Sequence, residues 1–175
     1  MAGSLIKIDE EIVTSAVASV TLGGADWDSS YDVYMVRVNN WLPDTNNVQP
    51  RIRFTASGTP DISANYDYAY KGIRADTTFT NTSSTNETSI LASASTGTAG
   101  NESFNGVLYL FNFNNASEYS FITVEQSTRT QAAALYSLTG GGVLTVAQAT
   151  DGIQFYLSSG NIDTGSSFVL YGLKK

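Results

Sequence analysis

The chain has 175 residues, 42% of them hydrophobic and only 14% charged, with a net charge of −7 at neutral pH. That is enough apolar side chain for one domain with its own core, and the acidic balance disfavours nucleic acid or an anionic membrane as partner, since both select for Lys and Arg. It has no cysteine and no histidine, which excludes a disulfide framework, a thiolate metal site, a cysteine nucleophile and a Ser/His acyl-transfer pair.

The N-terminal stretch MAGSLIKIDEEIV lacks the basic flank and apolar run of a signal peptide, and no segment approaches the roughly 20 apolar residues of a membrane span. The expectation is a protein made without an export signal. Leu5, Ile6 and Ile8 stand just before the Asp9–Glu10–Glu11 run, and residues 1–12 are expected to form an N-terminal arm that lies on a neighbour.

DWDSSYD, residues 26–32, alternates Asp26, Asp28, Ser30 and Asp32 like the first half of a calcium loop. The full pattern requires Gly at loop position six and Glu at twelve. Tyr31 and Arg37 stand there instead, so the plainer reading is an acidic turn leading into a strand.

Strands follow. YDVYMVRVN places Tyr34, Val36 and Val38 on one face; PRIRFTA places Ile52, Phe54 and Ala56 inward and Arg51, Arg53 and Thr55 outward. NYDYAYKG puts Tyr66, Tyr68 and Tyr70 on one face. Such a stripe suits a core, a subunit interface or a sugar platform, in that order of expectation. Residues 75–103 are almost entirely Ser, Thr, Asn, Ala and Gly; they read as long polar loops or an extended edge, with a short strand at Ile90–Leu91.

NGVLYLFNFN, EYSFITVEQ, GVLTVAQA and GIQFYLSS repeat the alternating, β-branched and aromatic bias of strands. RTQAAALYSLTG fits a short helix or a strand equally well. Gly23–Gly24, Pro43–Asp44, Gly58–Thr59–Pro60, Gly140–Gly141–Gly142, Asp151–Gly152 and Gly160–Asn161 are expected between strands. The chain closes on SSFVLYGLKK, with Phe168, Leu170 and Gly172 on one side and Val169, Tyr171 and Leu173 on the other. A strand apolar on both faces is expected to be integral, with its second face against another surface. The whole pattern predicts one all-β domain over 1–175, an antiparallel two-sheet β-sandwich that is jelly-roll-like.

A two-carboxylate glycosidase needs only Asp and Glu. The acids here, among them Asp9, Glu10, Glu11, Asp26, Asp28, Asp32, Asp61 and Asp67, mostly neighbour turn residues, where a carboxylate is simply solvated. No catalytic residue, cofactor or metal is therefore expected. Sequons at Asn81, Asn86, Asn101 and Asn115 follow from the composition and carry no weight without export. The candidate site residues are interface residues: Leu5, Ile6, Ile8, Tyr66, Tyr68, Tyr70, Phe168, Leu170 and Tyr171.

The stretches SLIKIDEEIVTSAVASVTL, YDVYMVRVNN, RIRFTASG followed by YDYAY, and GNIDTGSSFVLYGLKK together resemble small structural proteins of tailed bacteriophages, those of marine and cyanobacterial phages above all. Residues 75–103 match least. The resemblance implies a virion component with a β-sandwich body, commonly a homotrimer. Its partners would be further copies of itself and the major capsid protein or other virion proteins, with no nucleic acid and no membrane. The absence of heptads and of a separate attachment segment favours a capsid decoration (cement) protein. The alternatives are a tail-fibre or tail-tip receptor-binding protein and, from another class, a carbohydrate-binding module or glycosidase.

Overall fold

The computed structural model describes residues 4–99, 101–130, 132 and 134–173. The described residues form thirteen strands: β1 (Leu5–Ile12), β2 (Ser19–Gly23), β3 (Val33–Trp41), β4 (Pro50–Ala56), β5 (Thr59–Pro60), β6 (Tyr66–Arg74), β7 (Phe79–Glu87), β8 (Ile90–Leu91), β9 (Phe104–Phe111), β10 (Ser120–Arg129), β11 (Leu135–Leu144), β12 (Gly152–Leu157) and β13 (Ser167–Leu173). The helical geometry among them is a single 3-10 turn at Gly24–Asp26.

Two antiparallel sheets result. The larger runs β1-β13-β3-β9-β10-β11-β6-β7; the smaller runs β2-β12-β4-β5, with β8 also paired to β4. Side-chain alternation decides which face each strand turns inward. β10 shows it most cleanly: Ser120, Ile122, Val124, Gln126 and Thr128 are buried, and Phe121, Thr123, Glu125 and Ser127 are exposed. The chain is therefore a β-sandwich.

The core between the sheets is aromatic. Trp41 meets Phe104, Phe155 and Phe168 edge-on at 5.4–5.5 Å between ring centroids, the favoured geometry for ring quadrupoles. Phe54 of the small sheet packs on Tyr66 and Phe113. The Tyr66 hydroxyl accepts from the Phe54 N–H and donates to the Asp61 carbonyl, so a buried polar tip is satisfied. Burial, only partly offset by that N–H, pushes its pKa well up. Gln126 differs: it points into the core from β10, and, like Trp41 Nε1 and the Tyr70 hydroxyl, neither of its amide atoms has a hydrogen-bonding partner among the described residues.

β13 lies between β1 and β3, so the final stretch is integral. Phe168 and Leu170 are fully buried on the core side, and Val169 is buried on the other, between Glu10 and Arg37 in register. Gly172 has a separate reason. The Tyr31 ring lies where a Cβ would stand, so a side chain there would displace the ring.

Four expectations need correction. Residues 5–12 are not a free arm: they are β1, paired along β13. Residues 75–103 divide between their two readings: the extended edge holds, since Phe79–Glu87 is the edge strand β7, and the short strand at Ile90–Leu91 is β8, but the polar-loop reading fails where Ile90, Ala92, Ser93 and Thr96 are wholly buried. The triple glycine is not a turn. It lies inside β11, where neighbouring strands pair on both sides and the Ile90 side chain fills the space a Cβ on Gly142 would need. Residues 145–149, read as part of a strand, follow the end of β11 as irregular chain. In RTQAAALYSLTG, Leu135 onward is strand; Gln131 and Ala133 lie outside the described residues.

Candidate interaction face

Register across the larger sheet aligns its outward side chains into rows. One row contains Leu5 and Leu173, then Val33, Phe111, Phe121 and Val143. The next contains Lys7, Tyr171, Met35, Tyr109, Thr123, Gly141, Ala69 and Ser83. A third contains Glu10, Val169, Arg37, Val107, Glu125, Thr139, Lys71 and Asn81, in which charges of both signs alternate. The first two rows form an apolar band, partly open to solvent, and the third is its charged border. Leu5 is 50% and Phe121 43% exposed; Val33, Met35, Tyr109, Phe111, Val143 and Tyr171 are half-buried.

The outer face of the smaller sheet differs. Arg53 stacks over the Tyr156 ring at 4.4 Å and donates to the Thr88 carbonyl, and Arg51 donates to Gln49. One side of the sandwich is thus polar and satisfied, and the other keeps apolar side chains at the surface. A contiguous apolar surface is the usual mark of a docking face.

Two of the hollows on this face share Phe121. The first, about 740 Å³, has Ala69 and Gly141 as its floor and Phe121, Val143, Ser83, Thr85 and Asp67 at its sides. Small residues on two adjacent strands make it, since a larger residue at either would fill it. Asp67 also accepts from the Asn86 N–H at 2.9 Å, fixing the last part of β7. The second, about 520 Å³, lies beyond Phe121 among Asn112, Ser117, Glu118, Tyr119 and Ala147.

The predicted residues separate into three groups. Tyr66, Tyr70, Phe168 and Leu170 are buried in this chain's own core and offer no surface; the tyrosine stripe faces inward, against the interface reading of it. Tyr68 is half-buried beside Tyr70, at 5.7 Å between centroids, and burial followed by the Glu87 charge raises its pKa. Tyr171, Leu5 and Ile6 are at the surface, and Leu5 and Tyr171 are brought together in the apolar band, while Ile8 turns at a bulge to pack on the core.

The DWDSSYD turn is held by hydrogen bonds. Asn114 Oδ1 accepts from Trp27 Nε1 at 2.7 Å, and its amide donates to the Tyr31 carbonyl and the Tyr34 hydroxyl. Trp27 stacks on Tyr34 at 4.0 Å. The Ser30 side chain and N–H hold Asp28 below its ordinary pKa. Asp26, Asp28 and Asp32 do not converge: among the described residues no three acidic side chains form a group able to hold a cation.

Sequence reasoning missed Phe121, Tyr119 and Phe79. The signal was available for Phe121, which occupies an outward position otherwise taken by Thr123, Glu125 and Ser127. Tyr109 and Phe111 show the opposite difficulty, because aromatic residues on the outer face make the alternation of β9 ambiguous. No known protein family matches the chain, and no curated protein or solved structure matches it either.

Proposed function

We propose that this chain is a non-enzymatic structural protein of a virus particle, a capsid decoration (cement) protein that docks through the outer face of its larger sheet. The observation that carries the reading is the apolar band bordered by alternating charges. It has the composition of an interface with an apolar centre and a polar rim. The resemblance of the strand sequences to tailed-phage structural proteins supports the location in the virion, the jelly-roll-like winding, the trimeric self-assembly and the capsid protein as partner.

The test is reconstitution on phage heads that lack the chain. Met35→Asp and Tyr109→Asp each place a charge at the middle of the band, on half-buried positions that leave the core intact. Both variants should keep a β-sheet circular dichroism spectrum and lose head binding. Binding equal to wild type would remove the face from the account.

A second reading, a tail-fibre or tail-tip receptor-binding protein, is favoured by one feature. Tyr119 and Phe121, 45% and 43% exposed, stand beside Glu118, Asn112 and Ser117. Rings next to carboxylate and amide groups suit a sugar. Glycan-array binding abolished by Tyr119→Ala would select this reading and the wider carbohydrate-binding class over cement.

A further inference from the structure

The two sheets end in edges of unequal character, and the longest of them lacks the usual protection. An edge strand exposes a row of unpaired N–H and C=O groups, which natural sheets protect with charges, bulges, Pro or brevity. β1 has such devices: an acidic run, a bulge between Lys7 and Asp9, and an Asp9 carboxylate that turns to accept the Gly23 N–H of the other sheet at 2.9 Å. β5 and β8 are two residues long. β7 spans nine residues, FTNTSSTNE, with no Lys, Arg or Pro, and its one charge is at the end. Its bulge comes after Ser84, so Phe79–Ser84 is a regular, uncharged edge.

We propose that β7 pairs antiparallel with β7 of a second copy about a two-fold axis, joining two larger sheets into one. A two-fold perpendicular to the sheet keeps both outer faces on one side, and it requires opposed residues to share a face. Centring on Asn81 opposes Phe79 with the partner copy's Ser83 and Thr80 with its Thr82. The Ser, Thr and Asn side chains that meet are uncharged, and each copy's Lys71 stays on its own Asn81 at 3.1 Å and over its own Phe79 ring.

Phe79 chooses this register. It is 64% exposed on the outer face, while Ser83 is at the lip of the hollow floored by Ala69 and Gly141. With strands about 4.8 Å apart, the Phe79 ring of one copy reaches the lip of the other's hollow. The two-fold makes this contact twice. The inference does not rest on the virion reading: it uses the β7 edge beside the outer face, and a two-fold rather than a three-fold axis.

The absence of native cysteine gives a direct test. Asn81→Cys places a single thiol on the axis, and Glu10→Cys on β1 is the control. Mild oxidation should link Asn81→Cys chains at least about tenfold faster than the control, because pairing replaces an encounter by a held neighbour. Sedimentation of the wild type should show an even number of copies, and Phe79→Ser should abolish both signals while the circular dichroism spectrum is unchanged. Equal cross-linking at the two positions, or a wild type that is only monomer or trimer, overturns the pairing. Cross-linking at Asn81 that survives Phe79→Ser overturns the seating of the ring.

Discussion

Replacing Phe168 by Ala tests how far the last strand holds the sandwich together. Its ring is fully buried and touches Trp41 at 5.4 Å and Phe155 at 4.8 Å, so it joins β13 and β3 of one sheet to β12 of the other. Deleting a buried Phe ring costs about 3–5 kcal/mol through lost burial and the cavity left behind. In a chain this size each kcal/mol moves Tm by roughly 2–4 °C, so a fall of about 6–20 °C is expected. Urea titration followed by tryptophan fluorescence reads the loss, with Trp41 in the same cluster as a local reporter. Tyr171→Ala, on the half-exposed outer side of the same strand, should cost no more than about 1–2 kcal/mol, because partial burial contributes less. A Phe168→Ala loss below about 1 kcal/mol with an unchanged m-value would refute the reasoning, since β13 would then not be holding the two layers together.

Other expectations follow from single features. Gly172→Ala should destabilise by about 1–3 kcal/mol through overpacking against Tyr31, and Tyr31→Ala should relieve much of it in a double-mutant cycle by urea titration. Gln126→Met removes a buried amide without partners and should raise stability by about 1–3 kcal/mol; a loss of that size would show that the amide is satisfied. Asn114→Ala should cost about 1–3 kcal/mol and red-shift Trp27 emission, because the hydrogen bonds fixing the acidic turn go with it. Burial of Asp61 is outweighed by its bonds to Ser63 and Gln148, leaving its pKa below the ordinary value. Its contribution is therefore present above the unfolded pKa of about 4 and lost as pH falls through the lower folded value. Burial raises the pKa of Tyr66 and Tyr70, so stability should fall again as pH rises past the unfolded tyrosine value of about 10. Urea titrations across pH should show acid and alkaline losses, and Asp61→Asn should flatten the acid limb.

The strands were legible where alternation is strict. Tyr34, Val36 and Val38 or Ile52 and Phe54 announce their inward face, and each is buried; Thr55, expected outward, is buried too, because its hydroxyl donates to Asp151 at 2.7 Å. The two-sided ending was legible too, because Phe168, Val169 and Leu170 leave no polar face. The triple glycine was not, since its reason lies in Ile90 and two neighbouring strands distant in sequence. β7 was obscured for a related reason: Thr, Ser and Asn serve equally in loops and along a solvated edge, and pairing to β6 decides between them. The acidic turn was legible as a turn, but Asn114, which fixes it, is more than 80 residues away. The apolar band was the least legible part, because it exists only once register sets Leu5, Tyr171, Met35, Tyr109 and Phe121 beside one another.

The proposed virion role is tested most directly by the number and position of copies of the chain on purified virus particles. Quantitative mass spectrometry with gold-labelled imaging would measure both. The account predicts hundreds of copies spread over the head. A handful at the tail would move the chain to the receptor-binding reading, and its absence from the particle would contradict the account outright.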